Sequence, residues 1–442
     1  MIKVITYGTF DVLHEGHIRL LKRAKALGDY LIVGVTGDDF DLSRGKINNR
    51  QSLSDRIKAV RDTGIADEII VEEYDGQKID DIRKYGVDVF TVGSDWEGKF
   101  DYLGDYCKVV YLPRTEGVSS TDIRTKSRML KIGVVGEVQL IKKYIRESTF
   151  VNGCVIAAAC SSDGEFLSQL DVPFKTDDYD LLLERVDAVY VASHPSLHYG
   201  QIVKAIEKGK HVLCESPIAL SAEECDKAFA LAEEKGVILA DAIKTAYSTA
   251  YTRMLLLVKS GAVGRVVSVD ATCTSLTEIE DDPSYFGKNW NCSCAWAPTA
   301  LLPVFQLLGT NYVGRHITSL FADKEKTFDR FSKTDFVYDG AVASVKVGNG
   351  VKSEGELVIS GTKGYVYVPA PWWKTDYFEV RYENATENKR YFYQLDGEGI
   401  RYEIVAFVKA VENGKMTDCV PKSISREICD VVSSADRTEI KA

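Results

Sequence analysis

Tyr7-Gly8-Thr9-Phe10-Asp11-Val12-Leu13-His14-Glu15-Gly16-His17 lies between an apolar run, Ile2-Lys-Val-Ile-Thr6, and an amphipathic segment from Ile18 to Leu27 closed by Gly28. The run predicts a first β-strand and the segment a helix, so the quoted stretch is a strand-to-helix turn. Such a turn gathers unpaired backbone N–H groups and the positive end of a helix dipole at one point, which suits a phosphate. His14 and His17 can both face that point and stabilise charge on a phosphoryl group under attack. Gly16 between them lets the chain pass close to a ligand.

Outward from this turn, apolar runs at Ile2–Thr6, Tyr30–Val35, Glu68–Val71, Val87–Val92 and Val109–Leu112 alternate with helical patterns at 17–27, 54–63 and 77–85. The alternation predicts a parallel sheet with helices on both faces, and ligands beyond the carboxyl ends of its strands. Three loops follow strands and converge on that edge: 7–17, Gly93-Ser-Asp95-Trp96-Glu-Gly-Lys-Phe-Asp101, and Arg114-Thr115-Glu116-Gly117-Val-Ser119-Ser120-Thr121. A fourth, Asp41-Leu-Ser-Arg44-Gly-Lys46, sets two cations on alternate positions.

Tyr7 to His17, the 93–101 stretch and Tyr111 to Thr121 together resemble the nucleotidyltransferase superfamily, and within it the glycerol-3-phosphate cytidylyltransferases. The resemblance implies an in-line attack by a phosphomonoester oxygen on the α-phosphorus of CTP, with glycerol 3-phosphate as the acceptor and Mg²⁺ as the cofactor. His14, His17, Arg44, Lys46 and Arg114 would then be catalytic, with Arg44 and Lys46 also holding the acceptor. Tyr7, Gly8, Thr9, Phe10, Asp11, Gly16, Arg56, Gly93, Asp95, Arg114, Thr115, Glu116, Gly117, Ser119, Ser120 and Thr121 would bind the nucleotide. Asp11 is the candidate metal contact. The family's second arginine near the end of the 54–63 helix falls on Gly64, with Arg61 one turn earlier.

From Lys131-Ile-Gly133-Val-Val-Gly136 a second strand–helix series begins, with strands near Val155–Ser161, Ala188–Ser193, Val212–Glu215 and Val237–Ala242. A mostly β region follows from about 265 to 400, with strands at Val342–Val347, Glu356–Ser360, Tyr365–Val368 and Phe378–Tyr382. Val191-Ala-Ser-His194-Pro-Ser-Leu-His198-Tyr, Gly209-Lys-His-Val-Leu-Cys-Glu215-Ser-Pro217, Ser260-Gly-Ala-Val-Gly264 and Gly361-Thr-Lys-Gly364 resemble the glucose–fructose oxidoreductase / inositol dehydrogenase family. That family's G-x-G-x-x-G loop reads Gly136-Glu-Val138-Gln-Leu-Ile141 here, and the lysine of its E-K-P motif is Ser216. Its later Asp and His fall in Cys292–Pro303, which contains neither. A catalytically silent part that does not take NAD(P) is therefore expected. The alternative is a chain with two activities, whose second part reduces the compound that the first activates. His194 and His198 are read as helix-start and packing residues, and Trp372-Trp373 as core aromatics.

The fold class expected is α/β throughout: a Rossmann-like nucleotidyltransferase domain at 1–128, a degenerate dinucleotide-binding domain at 129–250, and an α+β open-faced sheet domain at 251–442. The 442 residues carry a net charge of −10, and 1–130 is nearly balanced, with 20 basic against 22 acidic residues. Neither part has the basic surplus of a nucleic-acid binder. No apolar run is long enough to span a bilayer, and the chain enters a strand directly, so a cytoplasmic enzyme without membrane insertion is expected, acting as a homodimer. The ten cysteines include no C-x-x-C pair, which favours reduced, buried thiols.

Overall fold

The computed structural model describes residues 1–38, 51–74, 76–113, 129–280, 283–393, 395–415 and 419–441. The chain divides into two compact units, Met1–Met129 with Phe150–Gly153, and Leu130–Thr149 with Cys154–Ala442.

The first unit is built on five strands: β1 (Lys3–Gly8), β2 (Tyr30–Thr36), β3 (Glu68–Glu72), β4 (Val89–Gly93) and β5 (Lys108–Leu112). Their order is β3-β2-β1-β4-β5, and every pairing is parallel. The central strand β1 is buried along Val4–Thr6, as a strand covered on both faces must be. Leu21 and Ala24 of the helix Glu15–Lys25 pack with Val4, Val33 and Val60 in one apolar layer. Ile82 of the helix Gln77–Tyr85 packs with Ile5, Ile32 and Phe90 in the other. Helices thus cover both faces, and the carboxyl ends of β1, β2, β3 and β4 share one edge.

The second unit holds two sheets. β6 (Leu130–Gly136), β7 (Cys154–Cys160), β8 (Phe174–Thr176), β9 (Ala188–Ala192), β10 (His211–Glu215) and β11 (Leu239–Ala242) form a parallel sheet ordered β11-β10-β9-β6-β7-β8. A nine-stranded mixed sheet comprises β12 (Val266–Ser275), β13 (Gly314–Phe321), β14 (Asp329–Tyr338), β15 (Ala341–Asn349), β16 (Leu357–Gly361), β17 (Tyr365–Val368), β18 (Tyr377–Arg381), β19 (Lys389–Phe392) and β20 (Thr438–Glu439). Its core lies against the helix Cys292–Leu308, where Ala300, Leu301 and Val304 pack with Val269, Val345 and Ile359.

That helix departs from the mostly β reading of 265–400. It is apolar on nearly all sides, with Pro298 and Pro303 inside it, so neither a helical stripe nor a strand alternation shows in its sequence. The Asn291 side chain caps it by accepting the Cys294 N–H at 2.8 Å. Trp372 is buried in the same core, and its indole N–H donates to the Thr272 carbonyl at 3.1 Å. His194 caps the helix Pro195–Glu207, and His198 is buried with both ring nitrogens on carbonyls, Pro217 at 2.8 Å and Ser193 at 2.9 Å. Both histidines are thus helix-start and packing residues. Among the described residues no cysteine pair forms a disulfide, and Cys154, Cys214 and Cys273 are buried thiols. No helix among them is long and apolar enough to cross a membrane.

Candidate active site

The turn after β1 is shaped by two non-glycine residues in left-handed backbone, Phe10 at φ 51° and Val12 at φ 45°. Each carries a cost that the surrounding structure must offset. Phe10 is buried and meets His17 edge-on, the ring centroids 5.5 Å apart. His14 is the N-cap of the helix Glu15–Lys25, its Nδ1 accepting the Gly16 N–H at 3.1 Å. The two histidine rings stack, centroids 3.8 Å apart and 21° from parallel. The strained turn and the cap thus bring His14 and His17 together at a helix start, as the spacing of the motif implies.

Asp11 accepts the Gln51 N–H at 3.0 Å, and the Val12 N–H reaches the Gln51 side chain at 2.9 Å. This ties the turn to the start of the helix Leu53–Asp62. On that helix Arg56 is fully buried, donating to the carbonyls of Thr9 at 2.7 Å and Thr36 at 2.8 Å and pairing with Asp38. In this structure its described bonds hold the ends of β1 and β2 together. Gly64 closes the helix region in left-handed backbone at φ 65°, and Arg61 is exposed.

Beside the turn, at the carboxyl edge of the sheet, a partly open cleft encloses about 430 Å³, solvent included. Tyr7, Gly8 and Thr9 line it from β1 and the turn, Thr36 and Val92 from the ends of β2 and β4. Glu72, Lys78, Trp96 and Phe100 complete it. The Tyr7 hydroxyl donates to Asp81 at 2.8 Å, and the Gln77 amide reaches the same carboxylate at 3.1 Å. Burial first, and then the Asp81 carboxylate, drive the Tyr7 phenol well above its ordinary range. Lys78 pairs with Glu72, and its ammonium lies 4.7 Å from the Tyr7 ring centroid and 5.5 Å from that of Phe100. One cation of the cleft thus has two aromatic faces and a buried carboxylate around it.

Of the residues expected from the sequence, Tyr7, Gly8, Thr9, Asp11, His14, Gly16 and His17 fall on this turn and cleft edge, Gly93 ends β4, and Asp95 lies in the short turn Ser94–Trp96 that follows it. The Asp95 side chain, Arg44, Lys46, Arg114, Thr115, Glu116, Gly117, Ser119, Ser120 and Thr121 lie outside the described residues. Sequence reading missed Lys78, Glu72 and Thr36. The cue was a Glu72-Glu73 pair ending an apolar strand, six residues before a lysine in the first turn of a helix. For Mg²⁺, no group of three metal-ligating side chains exists among the described residues. Asp11 offers one carboxylate, the number that suits a Mg²⁺ held chiefly by phosphates.

Residues 5–126 match the family model described as cytidylyltransferase-like, and residues 130–242 match that of the oxidoreductase family, NAD-binding Rossmann fold. The glycerol-3-phosphate cytidylyltransferase of Bacillus subtilis (strain 168) is 53% identical over 129 residues, 28% of this chain and 95% of that protein. The dTDP-3,4-didehydro-2,6-dideoxy-alpha-D-glucose 3-reductase of Streptomyces violaceoruber is 31% identical over 164 residues, 36% of this chain and 48% of that protein. Among solved structures, the 3-ketoreductase KijD10 of Actinomadura kijaniata, with NADP and TDP-benzene bound, aligns at a TM-score of 0.62 and 18% identity, over 71% of this chain and 99% of that one. At that identity the likeness shows the fold.

The expectation that the second part does not take NAD(P) finds no support in these matches, since the family model is of an NAD-binding fold and that neighbour holds NADP. The loop itself keeps one glycine. Gly136 has φ 128°, and a Cβ there would lie 2.2 Å from the Ala192 carbonyl oxygen. Past it come Glu137, which takes the Ser162 hydroxyl bond, and half-buried Val138. These side chains do not fit a pyrophosphate held in the three-glycine manner, which needs bare backbone at close approach. Through residues 5–126 the chain belongs to the cytidylyltransferase-like family, and it continues into a region of Rossmann-like fold that matches the oxidoreductase family model.

Proposed function

We propose that the first unit transfers CMP from CTP to glycerol 3-phosphate, giving CDP-glycerol and pyrophosphate, a step in making teichoic-acid-like or capsular polymers. The observation that carries this reading is the stacked His14–His17 pair at a helix start beside the cleft. An oxygen of the acceptor phosphate forms a bond to the α-phosphorus, and the bond to the bridging α–β oxygen breaks. Pyrophosphate leaves with that electron pair. The acceptor is already anionic, so no base has to take a proton from it. The protein's work is then positioning and charge stabilisation.

In this reading His14 and His17 donate to the α-phosphoryl oxygens as charge builds, and Arg44, Lys46 and Arg114 neutralise the phosphates. Tyr7, Gly8, Thr9, Phe10, Asp11, Gly16, Arg56, Gly93, Asp95, Thr115, Glu116, Gly117, Ser119, Ser120 and Thr121 shape the nucleotide site. Asp11 is the residue that would hold Mg²⁺, which when bound would supply charge neutralisation on the triphosphate. The functional divisions are 1–128, 129–250 and 251–442, in a cytoplasmic homodimer.

The test is pyrophosphate release from CTP and Mg²⁺ with glycerol, ribitol, erythritol and choline phosphates. Glycerol 3-phosphate is expected to turn over fastest, and His14→Ala or His17→Ala to lower kcat by about 10² or more with the fold intact. Near-normal kcat in both variants would overturn the mechanism. A second reading rests on the NAD-binding match at 130–242: the second unit reduces the compound whose phosphate the first unit activates. Fluorescence titration of the full chain with NADPH and NADH decides it, and a lack of binding by either removes it.

A further inference from the structure

Three lysines from distant parts of the second unit converge on one carboxylate. Lys143 Nζ lies 3.0 Å from Glu398, Lys374 Nζ 2.9 Å and Lys244 Nζ 3.4 Å. The four side chains are between 23% and 53% exposed, so solvent reaches the cluster. Glu398 sits in Asp396-Gly397-Glu398-Gly399, and all of 397–399 have positive φ, including Glu398 itself at 55°. A glutamate in left-handed backbone is a costly way to present a carboxylate. Next to the turn, Glu147 pairs with Arg401 at 2.9 Å, and that carboxylate would be 2.1 Å from a Cβ on Gly397, which fixes the turn closely.

The charges do not balance. Among the described side chains one carboxylate meets three ammonium groups, an excess of about two positive charges. Partial burial acts to raise the Glu398 pKa, yet the Lys374 and Lys143 hydrogen bonds and the Lys244 charge bring it down to about 2. Among the described residues Glu215 and Glu403 also feel the Lys244 charge, and burial drives both toward the uncharged form. Lys143 also lies in the first turns of the helix Leu140–Ser148, whose start has no acidic residue and no side-chain cap. Lys244 follows the carboxyl end of β11. Both therefore stand on the edge where a parallel sheet takes its ligands.

We propose that Lys143, Lys244 and Lys374 form a binding site for a phosphate-bearing small molecule, and that the Glu398 carboxylate holds their donors until the phosphate displaces it. Lysines suit this because a phosphate dianion matches the residual charge and accepts from several point donors at once. The site is built from residues of the second unit alone, and the inference does not depend on cytidylyl transfer.

The experiment is calorimetric titration of the full chain and its variants with inorganic pyrophosphate, glycerol 3-phosphate and CTP, circular dichroism confirming the fold of each. Glu398→Gly removes the competing carboxylate and accepts left-handed backbone without strain. It is expected to tighten one class of site about tenfold, and the probe that gains most identifies the phosphate source. The double variant Lys143→Gln/Lys374→Gln is expected to lose that class of site altogether. Equal affinities across the parent, Glu398→Gly and the double lysine variant, for all three probes, would overturn the proposal. Should Glu398→Gly fail to fold, an unchanged set of sites in the double variant overturns it alone.

Discussion

Lys78 and Glu72 show how one pair of residues can serve the fold and the cleft together. Glu72 ends β3, nearly without solvent exposure, and it holds the Thr36 hydroxyl at 3.0 Å as well as Lys78. Removing one partner of a buried pair leaves an uncompensated charge, which costs more than the pair itself contributes. Lys78→Met is therefore expected to destabilise the first unit by about 3–5 kcal/mol. Adding Glu72→Gln to that variant should recover most of the loss, measured as the urea midpoint followed by far-ultraviolet circular dichroism. A double variant no more stable than Lys78→Met would show that the lysine's packing, not its charge, holds the site. The glutamate pair at the end of β3 is a weak cue to this contact, because Lys78 itself reads as a solvent-facing residue of a polar helix. The histidines were legible because motif, strand and helix agree about one turn. The positive φ of Phe10 and Val12 leaves no such trace, since neither residue type favours it.

At the scale of elements, regular alternation made the strands legible and its absence hid the helix Cys292–Leu308. β1 to β5 fall within two residues of their predicted bounds, and each has an apolar run closed by polar residues. The cleft was less legible, because its walls come from the ends of four strands that adjoin only after the sheet forms. The carboxyl edge of β10 and β11 leads to a prediction of its own. Asp241 is fully buried there and Glu215 half-buried, and burial pushes each carboxyl up to about 7, opposed for Glu215 by the Tyr190 hydroxyl and Lys244, and for Asp241 by Ser425 and Ser216. In the unfolded chain both titrate near 4. Between pH 4 and 7 the folded chain thus keeps protons that the unfolded chain releases, so their contribution to stability falls as pH rises and levels off above 7. Buried His198 and half-buried His194, both lowered chiefly by burial, act in the opposite sense below about 6.5. Comparison with Asp241→Asn cancels that contribution. The variant is expected to match the parent at pH 5 and to exceed it at pH 8 by on the order of 2 kcal/mol. Tryptophan fluorescence in urea reads this, since Trp290, Trp296, Trp372 and Trp373 belong to the second unit and only Trp96 to the first. A variant less stable than the parent at pH 8 would mean that the Asp241 charge is present and satisfied.

For the whole molecule, the question is whether cytidylyl transfer needs the second unit. The first unit has two apolar layers of its own, one on each face of its sheet, and all five strands pair within it. Every described residue of the His14–His17 turn and of the cleft also belongs to it. The Bacillus subtilis relative is matched over 95% of its length by this part alone. A domain of this size buries enough surface to fold by itself. A chain ending at Met129 is accordingly expected to unfold cooperatively and to release pyrophosphate from CTP and glycerol 3-phosphate with kcat within about threefold of the full chain, a difference of well under 1 kcal/mol in barrier. Folded but inactive protein would place an essential group, or the control of one, beyond residue 129. A fall in affinity at unchanged kcat would instead assign the second unit a part in binding substrate. The two outcomes separate cleanly, because the first moves the chemical step and the second moves only the occupancy of the site.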